Sequence, residues 1–132
     1  MKEGKFLRSM IQPSVDGKSS DCYYSGVANL NVHYSSGPAN HFFYLLSQGT
    51  TDGVPSKTCV QGDKKVASGF GTIAGIGKNK ASQIWYLALT AYMTSSTNYS
   101  QAKEATILAC SDLYGDSVEC NTLMEAWDAV LV

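Results

Sequence analysis

Asn31-Val32-His33-Tyr34-Ser35-Ser36-Gly37-Pro38-Ala39-Asn40-His41-Phe42-Phe43-Tyr44-Leu45-Leu46-Ser47-Gln48-Gly49 reads as a short extended run, a turn at Ser-Ser-Gly-Pro, and then an aromatic-rich helix. Pro38 suits the first turn of a helix, where a missing N–H is no loss. Gly49 suits the stop. Phe42, Leu45 and Leu46 fall on one face at helical spacing, so this helix packs inward and fixes the loop before it. The stretch contains both histidines of the chain. His33 lies in the extended run, with polar Asn31 two positions earlier and able to orient its ring. Ser35-Ser36-Gly37 sets the height at which the imidazole meets whatever faces it. His41, one turn into the helix, reads as a surface or packing residue.

Outward from this stretch the pattern stays helical on the C-terminal side. Over residues 78–93, Ala81, Ile84, Trp85, Ala88 and Tyr92 follow the i, i+3, i+4, i+7 rule. Over residues 99–114, Asn98 with Gln101 reads as a capping box, and Ala102, Ala105, Ala109 and Leu113 line an inner face. Gly115 ends that helix. Asp116 with Glu119 reads as the next cap, and Leu123, Ala126, Trp127 and Val130 give the last helix its apolar stripe. On the N-terminal side, Pro13, Asp16-Gly17 and Ser19-Ser20-Asp21 are turn signals, so residues 1–30 read as loop with short extended pieces. Residues 50–72 read as a long loop, with a hairpin pinned at Cys59. The expected fold is mainly α: an irregular N-terminal third followed by a small bundle of about four helices, one domain over residues 1–132.

Composition narrows the function classes. The net charge is −1 and only 16% of residues are charged, which argues against nucleic acid and against an anionic membrane surface as partners. No apolar run approaches transmembrane length. Gly69-Phe70-Gly71 and Gly75-Ile76-Gly77 lack the spacing and the preceding strand of a phosphate loop and read as turn glycines. Ser35 and Ser36 near His33 lack a nucleophile-elbow context and a third member, so a serine hydrolase is not supported. The four cysteines show no Cys-x-x-Cys or Cys/His metal pattern and allow three pairings. Cys22–Cys59 with Cys110–Cys120 is favoured, because Cys110 and Cys120 flank a short turn between two helices. Disulfides would place the protein outside the cytosol. Met1-Lys2-Glu3-Gly4-Lys5 opens no signal peptide, so a secreted protein would here be a fragment of a longer precursor.

At this point the chain resembles a known family. Val32-His33-Tyr34-Ser35-Ser36-Gly37-Pro38-Ala39-Asn40-His41-Phe42-Phe43-Tyr44-Leu45-Leu46 is similar to the segment of thermolysin-like zinc metallopeptidases that carries their second catalytic histidine. Leu7-Arg8-Ser9-Met10, Gly75 to Ala81 with Ile84-Trp85-Tyr86, Thr94 to Gln101, Asp112-Leu113-Tyr114-Gly115, and Ala126-Trp127-Asp128-Ala129-Val130 resemble further segments in the family's order. The matches run from residue 7 to residue 130, and the wording is closest to actinobacterial secreted members. The resemblance implies the helical C-terminal domain of such an enzyme. The His-Glu-x-x-His helix and later glutamate that hold zinc in these enzymes have no counterpart here, so the chain resembles the C-terminal half without the zinc-bearing half.

By this resemblance, zinc in the full enzyme polarises the scissile carbonyl while a glutamate takes a proton from metal-bound water; both groups belong to the other half. His33 matches the histidine facing them, which donates to the oxyanion or delivers a proton. Arg8 matches the arginine that grips the substrate carbonyl beyond the cut bond, a task suited to its fixed fork of donors. Leu7 lines the pocket for the side chain after that bond. Relatives place an aspartate two residues before the histidine or nearby; Asn31 stands there instead, able to accept a hydrogen bond but adding no charge. Lys5 falls near a calcium-binding aspartate of some relatives, so no calcium is assigned. The implied function is the C-terminal half of a secreted zinc metalloendopeptidase. Its partners would be the N-terminal zinc-binding half, a peptide or protein substrate, and a protein inhibitor. The chain alone, with no metal assigned, is expected to be inactive. The competing reading is a non-catalytic binding module or autolysis fragment recognised by a protein partner or inhibitor.

Overall fold

The computed structural model describes residues 10–27, 35–51 and 56–132. Among these residues it has four α-helices: α1 (Gly37–Gln48), α2 (Lys78–Leu87), α3 (Tyr99–Tyr114) and α4 (Val118–Asp128). A short 3₁₀ turn, Pro13–Asp16, precedes them. Backbone pairing among the described residues, outside the helices, includes two isolated antiparallel bridges, Gly49 with Ala74 and Thr58 with Gly69. The second closes the hairpin expected around Cys59. The mainly α class read from the sequence therefore holds.

The core forms where the four helices converge. Phe42 of α1 stacks on Trp127 of α4, ring centroids 3.7 Å apart and planes 12° from parallel. Leu45, Leu46, Ile84, Leu123 and Val130 close around the pair, all essentially without solvent contact. Each such side chain contributes about 1.5–3 kcal/mol by leaving water. Ala105 and Ala109 face the same core from α3, and their small side chains let the neighbouring helices approach closely. The buried indole still finds a polar partner: Trp127 Nε1 donates to Thr106 Oγ1 at 2.8 Å, and that hydroxyl donates to the Lys103 carbonyl at 2.9 Å.

Helix ends follow the sequence closely, with two informative departures. The Asn98–Gln101 box is fully formed: the Gln101 amide donates to Asn98 Oδ1 at 2.8 Å and the Asn98 amide to Gln101 Oε1 at 2.9 Å. At α4, however, the cap is Ser117, whose Oγ accepts from the Cys120 amide at 3.3 Å, and not Asp116. Glu119 is thereby free to meet Lys80 of α2 at 2.6 Å. That contact holds Lys80 above and Glu119 below their ordinary pKa ranges.

The second departure is in α2. Ala88–Tyr92 continues it as a π turn, with the Met93 amide donating to the Ala88 carbonyl at 2.9 Å. The extra residue in that turn shifts the helical phase. Ala81, Ile84 and Ala88 stay buried, but Tyr92 is rotated out to 40% exposure and bonds Asp112 through its hydroxyl. Met93 packs on the core in its place. Leu113, also expected inside, is 41% exposed, in the last turn of α3.

Two glycines mark close approaches. A Cβ at Gly37 would lie 2.1 Å from the Ser20 carbonyl oxygen, so α1 starts in backbone contact with the N-terminal loop. Gly49 ends α1 at φ +76°, where a Cβ would also meet the Ile73 carbonyl. Disulfides join Cys22 to Cys59 and Cys110 to Cys120. The first belongs to a small second cluster with Ala67 and Leu131; the second ties α3 to α4.

Candidate active-site frame

His33, Asn31, Arg8 and Leu7, the residues singled out for catalysis and substrate binding, lie outside the described residues. The structure does describe the chain next to them. Met10 stands two residues after Arg8, and Ser35 two after His33. Met10, Ala39, Asn40, Phe43 and Trp85 line a common hollow of about 220 Å³. On the other flank of the same helical turn, Ser35, Ala39, Trp85, Met93 and Tyr99 border a larger, mostly apolar groove of about 520 Å³. Met10, two residues after Arg8, and Ser35, two after His33, therefore border hollows at the start of α1, and Trp85 lines both.

That turn is held from outside its own helix. The N-cap residue of α1, Ser36, makes no side-chain capping bond. The hydroxyl of Tyr99, from the start of α3, takes over. It donates to the Ser35 carbonyl at 2.7 Å and accepts from the Ala39 amide at 3.2 Å. Ala39 N–H is one of the first-turn donors that have no partner within a helix. Burial pushes the Tyr99 hydroxyl well above the ordinary tyrosine range, so it remains a donor. Its ring lies 5.3 Å from Tyr23 and edge-on to Trp127 at 6.4 Å.

His41 is neither a ligand nor a surface group. It is almost wholly buried. Its Nδ1 lies 2.8 Å from the Asp21 carbonyl oxygen and its Nε2 2.8 Å from that of Lys57, with Ser56 Oγ at 3.1 Å. Each ring nitrogen lies within hydrogen-bond distance of a main-chain carbonyl oxygen, so the ring bridges α1 to two loops. The trio Asp21, His41 and Ser56 is composed like a hydrolase triad but is wired differently. The Asp21 carboxylate is occupied by the amides of Ser14 and Ala67, at 2.8 Å each. Ser56 Oγ donates to the Ile11 carbonyl at 2.9 Å instead of to the ring. No nucleophile is activated by this geometry. Neither Tyr99 nor this buried bridge was picked out by sequence reasoning, because their partners are backbone groups remote in the chain.

Among the described residues no group of three His, Cys, Asp or Glu could hold a metal ion. Both nitrogens of His41 are engaged, and Cys22, Cys59, Cys110 and Cys120 are all in disulfides. The described residues therefore do not fit a zinc site.

Over residues 1–132 the chain matches the family model of the thermolysin metallopeptidase alpha-helical domain. The chain belongs to that family. It is 43% identical over 131 residues to a transglutaminase-activating metalloprotease of Streptomyces mobaraensis, covering 98% of this chain and 17% of that protein. A bacillolysin of Bacillus caldolyticus is 38% identical over 133 residues, with 96% and 21% covered. An extracellular elastase of Staphylococcus epidermidis is 33% identical over 130 residues, with 96% and 20% covered. This thermolysin-family domain thus spans about a fifth of the length of these relatives. The family description names an alpha-helical domain, and the described residues fold mainly as α-helix. No described helix is long and apolar enough to cross a membrane.

Proposed function

We propose that residues 1–132 are the C-terminal helical domain of a secreted zinc metalloendopeptidase, and that the chain supplies one wall of its active site. His33 donates an N–H to the oxygen of the scissile carbonyl as negative charge develops on it, by the logic of an oxyanion hole. Arg8 grips the next carbonyl of the substrate, and Leu7 lines the pocket for the side chain after the cut bond. Asn31 orients the His33 ring without adding charge. The zinc, its ligands and the proton acceptor come from the N-terminal half. When bound there, the metal would act as Lewis acid on the carbonyl.

The observation that carries this reading is the convergence at the first turn of α1. Met10, following Arg8, and Ser35, Ser36, Ala39 and Asn40, following His33, border two hollows at the start of α1 that share Ala39 and Trp85. A mainly uncharged surface and two disulfides suit an oxidising, extracellular setting. A peptide or protein is the substrate on this reading, and a protein inhibitor would occupy the same wall.

The test is reconstitution with the zinc-bearing half. The 132-residue chain alone should take up no stoichiometric zinc and cleave no casein. In the complete enzyme, His33→Ala should lower kcat by about 100- to 1,000-fold, the usual loss for one oxyanion donor. KM should change little, since the contact strengthens only in the transition state. Zinc-dependent cleavage by the isolated chain, or unchanged kcat in His33→Ala, would overturn the proposal.

A further inference from the structure

The phenol of Tyr99 is the one side chain among the described hydrogen bonds that grips the backbone on both sides of the Ser35-Ser36-Gly37 turn. We propose that Tyr99 is a positioning residue for the reaction: it sets where the chain leaves α1 toward His33, and so where the imidazole meets the substrate. The inference rests on the role given to His33 above.

Three observations carry it. First, α1 has no side-chain cap of its own, so the register of its first turn is not fixed locally. The cap arrives across the fold, from a residue 60 positions away in the chain. Second, Tyr99 is itself held rigidly. It is the first residue of α3, directly after Asn98 and inside a complete capping box, and its ring is boxed by Tyr23 and Trp127. Third, the connections close on themselves. Trp127 stacks on Phe42 of α1, Tyr99 meets Trp127 edge-on, and the Tyr99 hydroxyl returns to Ala39 of α1. The start of α1 is thus triangulated by two contacts on different helices. The Ser35 carbonyl, two residues from His33, is the last described atom in that circuit. Catalytic groups tolerate little misplacement: an error of about 1 Å can cost on the order of 100-fold in rate.

The experiment uses the complete zinc enzyme. Tyr99→Phe removes the hydroxyl and keeps the ring. It should lower kcat about tenfold, the low end of the loss from outer-layer partners, with KM and zinc content unchanged. In a His33→Ala background the same change should have no further effect, because its only route to the reaction is through His33. Ser117→Ala, at the α4 cap, is the stability control: it should lower the melting temperature and leave kcat alone. Equal losses from Tyr99→Phe with and without His33 would make Tyr99 merely structural and overturn the inference. So would full kcat in Tyr99→Phe while His33→Ala still cripples the enzyme, and in that case the reading of His33 survives. If His33→Ala is fully active, both fall together.

Discussion

Replacing His41 by leucine should cost stability out of proportion to the loss of volume. The imidazole is almost wholly buried, with Nδ1 and Nε2 each 2.8 Å from a backbone carbonyl oxygen. Leucine fills similar space but donates nothing, so the ring N–H that serves the Asp21 or the Lys57 carbonyl is lost inside the protein. A buried acceptor that loses its donor costs about 1–3 kcal/mol, which sets the gross penalty for each ring N–H lost. Some of this is recovered. Burying leucine is itself favourable, and Ser56 Oγ, already 3.5 Å from the Lys57 carbonyl, can turn toward it by giving up Ile11. A net loss of about 1–2 kcal/mol is therefore expected. His41→Gln, whose amide can still donate to one of the two carbonyls, should lose less. Equilibrium unfolding in guanidinium, followed by far-UV circular dichroism, measures both, with the slope m expected to stay constant. A His41→Leu variant within about 0.5 kcal/mol of wild type, the usual range of surface substitutions, would refute the bridge. So would a glutamine variant no better than the leucine one.

Two further perturbations separate the parts of the fold. The Cys22–Cys59 bridge spans 37 positions and Cys110–Cys120 spans 10, so paired alanine replacements should cost about 4 and about 3 kcal/mol in the chain-entropy model; the same unfolding assay checks the order. Gly37→Ala would place a Cβ 2.1 Å from the Ser20 carbonyl, a backbone clash no rotamer relieves, and should destabilise by at least the roughly 1–3 kcal/mol typical of overpacking, read as a drop in melting temperature.

The bundle was legible because its helices obey local rules. Period, a capping box at Asn98 and stop glycines at 49 and 115 all act within one or two turns, and they placed α1, α3 and α4 closely. Where a rule failed, a specific competitor won. Tyr92 obeys the 3.6-residue period on paper, but one extra residue in the π turn at Ala88–Tyr92 rotates it to solvent. Nothing in the apolar pattern marks where such a turn inserts. Asp116 lost the α4 cap to its neighbour Ser117, which is in extended backbone just before the helix; adjacent residues of equal capping propensity cannot be ranked by propensity alone. The sequence reads His41 as a surface or packing residue; it packs, but as a polar bridge whose partners are main-chain carbonyls 20 and 16 residues away. Carbonyls are present at every position, so sequence carries no sign of which ones a buried imidazole will find.

The candidate site was legible in a different way. A lone histidine in an extended run says little, and His33 acquired a role only through its ordered neighbours from Leu7 to Val130, a likeness the family match supports. That route proposes residues to meet substrate and is blind to those that would hold them in place. Tyr99 lies in a stretch that resembles the family, yet the role proposed for it rests on a contact with Ser35, 64 positions distant. The physical difference between Tyr99 and His41 makes the two readings separable. Both hold α1 in place, but His41 does so from within the helix, through the loops of Asp21 and Lys57, whereas Tyr99 reaches it from α3 and ends the circuit at the turn leading to His33. Loss of the His41 bridge should therefore appear as a lower unfolding free energy with an unchanged rate per folded molecule. Loss of the Tyr99 hydroxyl should appear as a lower rate at nearly unchanged KM. A common signature for both would mean that α1 moves as one rigid rod, and that its first turn has no independent setting for a tyrosine to control.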